Sequence, residues 1–491
     1  MIKRLYDQTV RPAGFPIGAL FAASVALTAS VQAAEPASPS QLLEKGIYSE
    51  ETKGDLQSAM KLYEQAVAEG KDTQSIAAQA QYRLGVVHYK QNQFTEANEA
   101  FEKLIKDFPG QTNLVALAQD YLAGAVSLLP VPWVDGEELV LDVKFPSGFR
   151  IGMGSYSASS GETNGQKVWN LSSQIFAGMR QSSRAQVLAD SFKPLNSVWK
   201  HTLIGEADTT YIPGYAQGTL KGKDKPKDYK VALTGTVYDN EEAVELFRRL
   251  PLATNYSSTI HIFSGLGGGT VIPLKVEVTA MEKVTVPAGT FECYKVELSI
   301  RQTFWYSTDA HRYPVKFEAG GVVAELTEIN QHKPGDLAHF KDATSGLALS
   351  GPAGWLFDRH EAEDPNDPTR IVVLDPNAAG LSMVLVQKLD GLKADQKASL
   401  RSFAEGQIAE GSKMAKDLKV RPDSWKEITV AGKPALSVRY DFTEAGEKKS
   451  GRGVYMMDDK NGYDFLAYAP EKDFETFNAQ FGAIINSGKF E

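Results

Sequence analysis

The chain has 491 residues, of which 42% are hydrophobic and 10% aromatic, and its formal net charge is −9. A length of this order predicts about three domains, and the apolar content is that of an ordinary globular protein. The acidic balance argues against nonspecific nucleic-acid binding, which requires a basic surface. Cys293 is the only cysteine, so an intramolecular disulfide is excluded.

Residues 1–33 have the pattern of a cleavable secretory signal peptide. Three basic residues come first, an apolar stretch follows over residues 13–29, and the segment ends at Ala33 in a small-x-small cleavage pattern. The apolar stretch is short for a membrane span and Pro16 interrupts it, which favours cleavage over anchoring. No later segment is apolar enough to span a bilayer. We therefore expect a periplasmic or secreted protein without a transmembrane segment.

Residues 40–129 are predicted to be helical, and a repeat pattern lies within them. Gly85 and Ala97 are small enough to let two antiparallel helices approach closely. Phe101 would fill the space between the two helices, and Pro109 would end the second one. An earlier and looser copy of the pattern is LQSAMKLYEQAVAEG, and residues 112–129 would supply a closing helix.

This spacing resembles a tetratricopeptide repeat. In such repeats the first helix of each pair lines a concave groove, and here that face would present Gln79, Tyr82, Val86, Tyr89 and Lys90. Tyrosine supplies contact area together with a polar hydroxyl, so this face suits a peptide or protein partner. The alternative is that the helices only pack onto the neighbouring β domain.

After the PVPW stretch at residues 130–133, the apolar period changes from helical to alternating. This change predicts an antiparallel β domain over residues 131–332, with one short helix at NEEAVELFRRL. The segments EKVTVPAGTFECYKVEL and WYSTDAHRYPVKFEAGGVVAELTEI resemble a family of exported bacterial proteins of unknown function. The resemblance implies export and a curved half-barrel or sandwich, but no activity.

Residues 337–491 are predicted to form a third domain. Strands, a crossover helix, further strands and a terminal helix predict an α+β sandwich. The GPAGW turn at residues 351–355 and the VAGKPAL hairpin at residues 430–436 are similar in layout to PsbP-like domains. The resemblance implies a binding or assembly module. The complete chain is therefore expected to be a multidomain α+β protein.

The sequence holds no recognisable catalytic or metal-binding motif, and no cofactor is expected. The seven histidines are scattered, and neither HExxH nor GxSxG occurs. The glycine-rich segment 265–270 leads into a strand pattern, which favours a flexible hairpin tip over a phosphate loop. Asp309 and Arg312 are interpreted as a structural ion pair. The acidic segment 363–368 lacks calcium-loop spacing, and Cys293 is predicted to be buried.

Three functions remain open at this point. The leading hypothesis is a non-enzymatic periplasmic binding or scaffolding protein of the bacterial cell envelope, whose helical repeat recruits a protein partner. The first alternative is a carrier of a hydrophobic or lipid ligand, held in a cavity of the β domain beneath the glycine-rich segment. The second alternative is an enzyme whose catalytic residues form no recognisable motif.

Overall fold

The computed structural model describes residues 37–491 except residues 92, 123–125, 223, 224, 362, 363, 365, 366, 378, 416 and 445. The predicted signal peptide and part of the acidic segment 363–368 lie outside the described residues. The described chain forms a helical segment, one large sheet and a final α+β unit, which confirms the predicted fold class. None of its helices combines the length and apolar character that a membrane span requires.

The N-terminal segment consists of short antiparallel helices, and α1 is followed by a π-helical turn at Tyr48–Thr52. Ser38 begins the first helix with a capping box, and the Asp55 carboxylate caps the second. The helices of this segment are α1 Pro39–Ile47, α2 Leu56–Glu69, α3 Gln74–Lys90, α4 Phe94–Asp107 and α5 Thr112–Tyr121.

The same glycine–aromatic contact holds each of the first two helix pairs together. A Cβ atom at Gly46 of α1 would lie 2.4 Å from the ring of Tyr63 on α2, and one at Gly85 of α3 would lie 2.6 Å from the ring of Phe101 on α4. Only glycine permits so close an approach. The looser upstream copy predicted from the sequence therefore packs in the same way as the second copy.

The middle unit is one sheet. Its strands run in the order β8 to β1 and then β15 to β9, so that β1 pairs with β15 and the two halves join. Pairing is antiparallel throughout, except that β9 lies parallel to β10. The strands are β1 Glu137–Lys144, β2 Arg150–Thr163, β3 Gln166–Phe176, β4 Arg180–Leu188, β5 Pro194–His201, β6 Gly205–Ile212, β7 Tyr215–Lys221, β8 Lys227–Ala232, β9 Val237–Asp239, β10 Ser257–Ser264, β11 Thr270–Val286, β12 Gly289–Leu298, β13 Gln302–Ser307, β14 Pro314–Ala319 and β15 Val322–Gln331.

The sheet curls so that its two halves meet around a short helix, α6 Ala243–Arg248. The hydroxyls of Ser197 on β5 and Tyr211 on β6 donate to the Asp239 carboxylate at 2.6 and 2.5 Å, where β9 leads into α6. Leu246 and Phe247 of α6 are buried in the core cluster that the sheet encloses. The short helix therefore packs with strand side chains from both halves of the sheet in one core.

The glycine-rich segment 265–270 lies against the opposite half of the sheet. A Cβ atom at Gly269 would lie 2.9 Å from the ring of Tyr229 on β8, and one at Gly265 would lie 2.7 Å from its hydroxyl. The sequence predicted a flexible tip at this point. The structure confirms a hairpin turn here, since Ser264 of β10 pairs with Thr270 of β11. The missing side chains allow the backbone of this turn to approach Tyr229 closely.

The last unit carries helices on both faces of its larger sheet, whose strand order is β18-β19-β20-β25-β24-β23-β21, with β22 paired to β23. Met456 of β24 packs with the terminal helix α8, whereas Tyr455 points to the other face and packs with Phe403 of α7. The elements are β16 Leu337–Lys341, β17 Leu347–Pro352, β18 Leu356–His360, β19 Thr369–Leu374, β20 Leu381–Lys388, α7 Leu400–Met414, β21 Lys419–Val420, β22 Lys426–Val430, β23 Lys433–Glu444, β24 Glu447–Met457, β25 Asn461–Pro470, α8 Phe474–Asn486 and β26 Lys489–Phe490.

Buried charges join the curved sheet to the last unit. The Arg180 guanidinium of β4 donates to the main-chain oxygens of Asp375 and Gly380, and it lies 3.1 Å from the Asp375 carboxylate. Arg150 of β2 lies 2.8 Å from the buried carboxylate of Asp358 on β18. Since charges removed from water need partners, these contacts specify how the two units meet.

Candidate functional site

The face of α3 predicted to bind a partner is only partly open. Gln79 and Lys90 are exposed, Tyr82 and Val86 are half-buried, and Tyr89 is buried with 4% of its surface exposed. Helical spacing places the three middle residues on one side of α3, as predicted. The structure thus brings the five residues together, but it leaves mainly the two polar ends accessible.

Tyr121, at the end of α5, covers the aromatic part of this face. Its ring stacks on Phe101 at a centroid distance of 4.5 Å and meets the rings of Tyr82 and Tyr89 at 6.3 and 5.0 Å. His261 of β10 adds a further contact, 5.8 Å from the Tyr89 ring centroid. The aromatic residues of α3 therefore help to pack the helical segment against the curved sheet. Their role in binding a partner stays a prediction.

Burial also sets the ionisation of this contact. It lowers the pKa of His261 and raises that of Tyr89, which favours the neutral form of each ring. The Nε2 atom of His261 lies 3.2 Å from the main-chain oxygen of Tyr121. A neutral, hydrogen-bonded contact of this kind is typical of a permanent interface between two parts of one chain.

A buried carboxylate organises the polar side of the groove. Glu50, in the turn after α1, accepts hydrogen bonds from the Tyr63 hydroxyl at 2.6 Å, from Arg83 at 3.1 Å and from Lys90 at 2.6 Å. Burial alone would raise the pKa of Glu50, but the bonds from Lys90 and Tyr63 bring it below its usual value. Lys90 therefore ties α3 to the end of α1.

The outer edge of this network is accessible. Exposed fractions are 29% for the side chain of Arg83, 49% for Lys90 and 55% for Glu51, which lies 2.6 Å from Arg83. Gln79 continues the same edge toward the start of α3. We call Gln79, Arg83, Lys90 and Glu51 the polar edge. It is a charged surface of both signs, fixed in position by the buried Glu50 carboxylate.

The acidic residues around α6 were not predicted as a cluster. Asp239, Glu242 and Glu245 are all buried, and burial raises the pKa of each. Arg248, at the end of α6, pairs with the buried Glu137 of β1 at 2.7 Å. The signal in the sequence is the acidic DNEEAVE run in an otherwise apolar stretch. In the structure this run anchors α6 inside the sheet.

Asp309 and Arg312 do not form the predicted ion pair. The Asp309 carboxylate accepts from the main-chain amides of His311 and Arg312 at 2.8 and 3.2 Å, so it caps the turn. The Arg312 guanidinium instead donates to the main-chain oxygen of Arg248 at 3.1 Å. In the part of the chain that the structure describes, no group of three or more His, Cys, Asp or Glu side chains is arranged to hold a metal ion.

Two family models match parts of the chain. Residues 79–110 match a tetratricopeptide repeat model, and residues 141–327 match a family described as protein of unknown function, DUF3108. The predicted repeat and the resemblance of the β domain to a family of unknown function are thereby confirmed. A comparison with curated proteins found no match.

Solved structures with a similar course of the chain were also found. CyanoP, the PsbP protein of Synechocystis sp. PCC 6803, is 13% identical, with 32% of this chain and 92% of that chain covered and a TM-score of 0.24. LpqN of Mycobacterium tuberculosis, described as involved in cell envelope biogenesis, is 14% identical, with 31% and 90% covered and a TM-score of 0.20. The MucB–MucA complex of Pseudomonas aeruginosa shows 10% identity, 72% and 93% coverage and a TM-score of 0.16. Scores this low carry no argument about the present chain.

Proposed function

We propose that the protein is a non-enzymatic binding or scaffolding protein of the bacterial cell envelope, and that its helical repeat recruits a protein partner in the periplasm. The observation that carries this proposal is the tetratricopeptide match at residues 79–110, together with the exposed polar edge formed by α3 and the turn after α1. The secretion pattern of residues 1–33 supports the location.

Contacts within the helical segment support the polar edge as the place where the partner would bind. Tyr121 and His261 close the aromatic end of the groove, and the accessible part runs along α3 and the turn after α1. Both charge signs are present there within a short distance, which favours a partner segment that itself carries acidic and basic side chains. Charges at an exposed rim contribute to encounter rate and to selection of the correct partner more than to raw affinity.

Site-specific photo-crosslinking in the cell envelope tests the proposal. A photoreactive residue at Gln79 should form one defined protein adduct, and the same residue at the exposed Lys103 of α4 should not. The identified partner, purified, should bind the mature chain and should lose about fivefold in affinity with Gln79→Ala, the effect of removing ~1 kcal/mol of contact energy. Equal adducts at both positions, or unchanged affinity for the variant, would refute the polar edge as the binding surface.

A further inference from the structure

The last unit holds a polar pocket with an excess of positive charge. Its volume is about 590 Å³, and it lies between β22–β24, the turn Pro422–Ser424 and the start of α8. The charged residues that line it are four cations and two carboxylates: Arg421, Lys426, Arg439, Arg452, Asp423 and Glu475. Pockets that bind small molecules have volumes of about 300–1,000 Å³, so this one has sufficient room.

Strand register creates an unfavourable pair of charges in the pocket. Arg439 of β23 and Arg452 of β24 are direct cross-strand partners. Both project to the α8 side of the sheet, since Val454, two residues along β24 from Arg452, packs into the α8 core. Like charges directly opposite each other on neighbouring strands destabilise a sheet.

Neighbouring carboxylates balance the positive charge of two of the three arginines that line the pocket. Arg421 makes a bidentate contact with Asp441 at 2.7 and 2.8 Å, and Arg439 donates to Glu475. Arg452 donates through Nε to the Ser437 hydroxyl at 2.9 Å, and the described residues give it no carboxylate partner. It is nevertheless partly buried, and burial together with the charge of Arg439 lowers its pKa.

We propose that this pocket binds the phosphate or carboxylate group of a small polar molecule between Arg439 and Arg452. An anion there would relieve the repulsion between the two guanidinium groups and would supply the partner that Arg452 lacks. A planar guanidinium offers paired N–H donors that match the oxygens of either group. Nine of the ten residues that line the pocket carry a polar or charged group, Pro422 being the exception, which suits a compact and charged ligand.

Isothermal titration calorimetry of the mature chain tests this site, with inorganic phosphate and succinate as separate probes. At least one probe should bind saturably, and the better probe identifies the anionic group. Arg452→Gln should weaken that binding about tenfold to a hundredfold, the effect of losing a charge-assisted hydrogen bond. Arg452→Lys should be intermediate, because it keeps the charge but loses the planar donor pair.

Two further variants make the result decisive. Arg370→Gln removes the same charge from an exposed position on β19, which β20 and β25 separate from β24, and it should bind the probe like the wild type. Glu475→Gln should tighten binding, because it removes the carboxylate that competes for Arg439. The proposal is overturned if neither probe binds, if Arg370→Gln loses as much affinity as Arg452→Gln, or, should Arg452→Gln fail to fold, if Glu475→Gln leaves affinity unchanged. It stands independently of the helical repeat.

Discussion

The buried carboxyl of Glu245 predicts that the curved sheet loses stability as the pH rises. The side chain lies on α6 with 4% of its surface exposed, and burial raises its pKa from 4.5 to about 7. The charge of Arg248 opposes this shift only in part. Between these two pKa values the folded state keeps a proton that the unfolded chain has released, so stability falls as the pH increases from about 4.5 to about 7 and is level above that range.

The size of the effect follows from the pKa difference. About 2.5 pKa units correspond to roughly 3 kcal/mol at pH 8. Glu245→Gln mimics the protonated acid and does not titrate, so the variant should be about 3 kcal/mol more stable than the wild type at pH 8 and about equal to it at pH 4.5. Asp239 and Glu242 are also buried with raised pKa values, so part of the pH slope should remain in the variant.

Urea unfolding at pH 5 and pH 8 measures the difference in stability between the variant and the wild type. Tryptophan fluorescence reports on the unfolding, because Trp133 lies in the same core as Leu246 and Phe247 of α6. Glu162→Gln, an exposed change on β2, is the matched control and should shift neither midpoint. The reasoning is refuted if wild-type stability is equal at the two pH values or is higher at pH 8. It is also refuted if Glu245→Gln changes stability by the same amount at both.

Three other perturbations test the packing. Gly85→Ala should destabilise the helical segment by about 1–3 kcal/mol, since the new Cβ atom would lie 2.6 Å from the ring of Phe101. Gly110→Ala is the control, because a Cβ atom there meets no atom within 4 Å. Thermal melts followed by circular dichroism should show a lower melting temperature for the first variant and no change for the second. Arg180→Ala leaves the Asp375 carboxylate buried without its cation, which should weaken the contact between the sheet and the last unit by about 3–5 kcal/mol. Limited proteolysis should then cleave the connecting residues 332–336 faster than in the wild type. Burial raises the pKa of the Cys293 thiol to about 12, so a thiol reagent at pH 8 should label it only after denaturation.

Each of these expectations has a clear contrary result. Equal melts for the two glycine variants would show that the α3–α4 helix pair tolerates a side chain at the contact. Arg184→Ala, which removes an exposed arginine whose guanidinium lies 2.7 Å from Asn377, is the control for the inter-unit contact. Proteolysis no faster for Arg180→Ala than for this control would contradict the assigned role. Stoichiometric labelling of the native thiol within minutes would contradict its burial.

The order and type of the elements could be predicted from the sequence, because they depend on neighbours along the chain. The change of apolar period after Trp133 separates helices from strands, and the spacing of Gly85, Ala97 and Phe101 identifies the repeat. Burial of Cys293 was also predictable, since it stands in an alternating strand pattern. In each case a local pattern reports directly on which face of one element is apolar.

Which faces remain open was decided only by the tertiary structure. The spacing along α3 grouped Tyr82, Val86 and Tyr89 correctly, but contacts from Tyr121 and His261, on other elements, cover the two tyrosines. The charge pair at Arg439 and Arg452 likewise arises from the register of β23 against β24, which no spacing along the chain reveals. Periodicity specifies the side of an element on which a residue lies, whereas its partner depends on how distant segments pack, and that is a property of the whole fold.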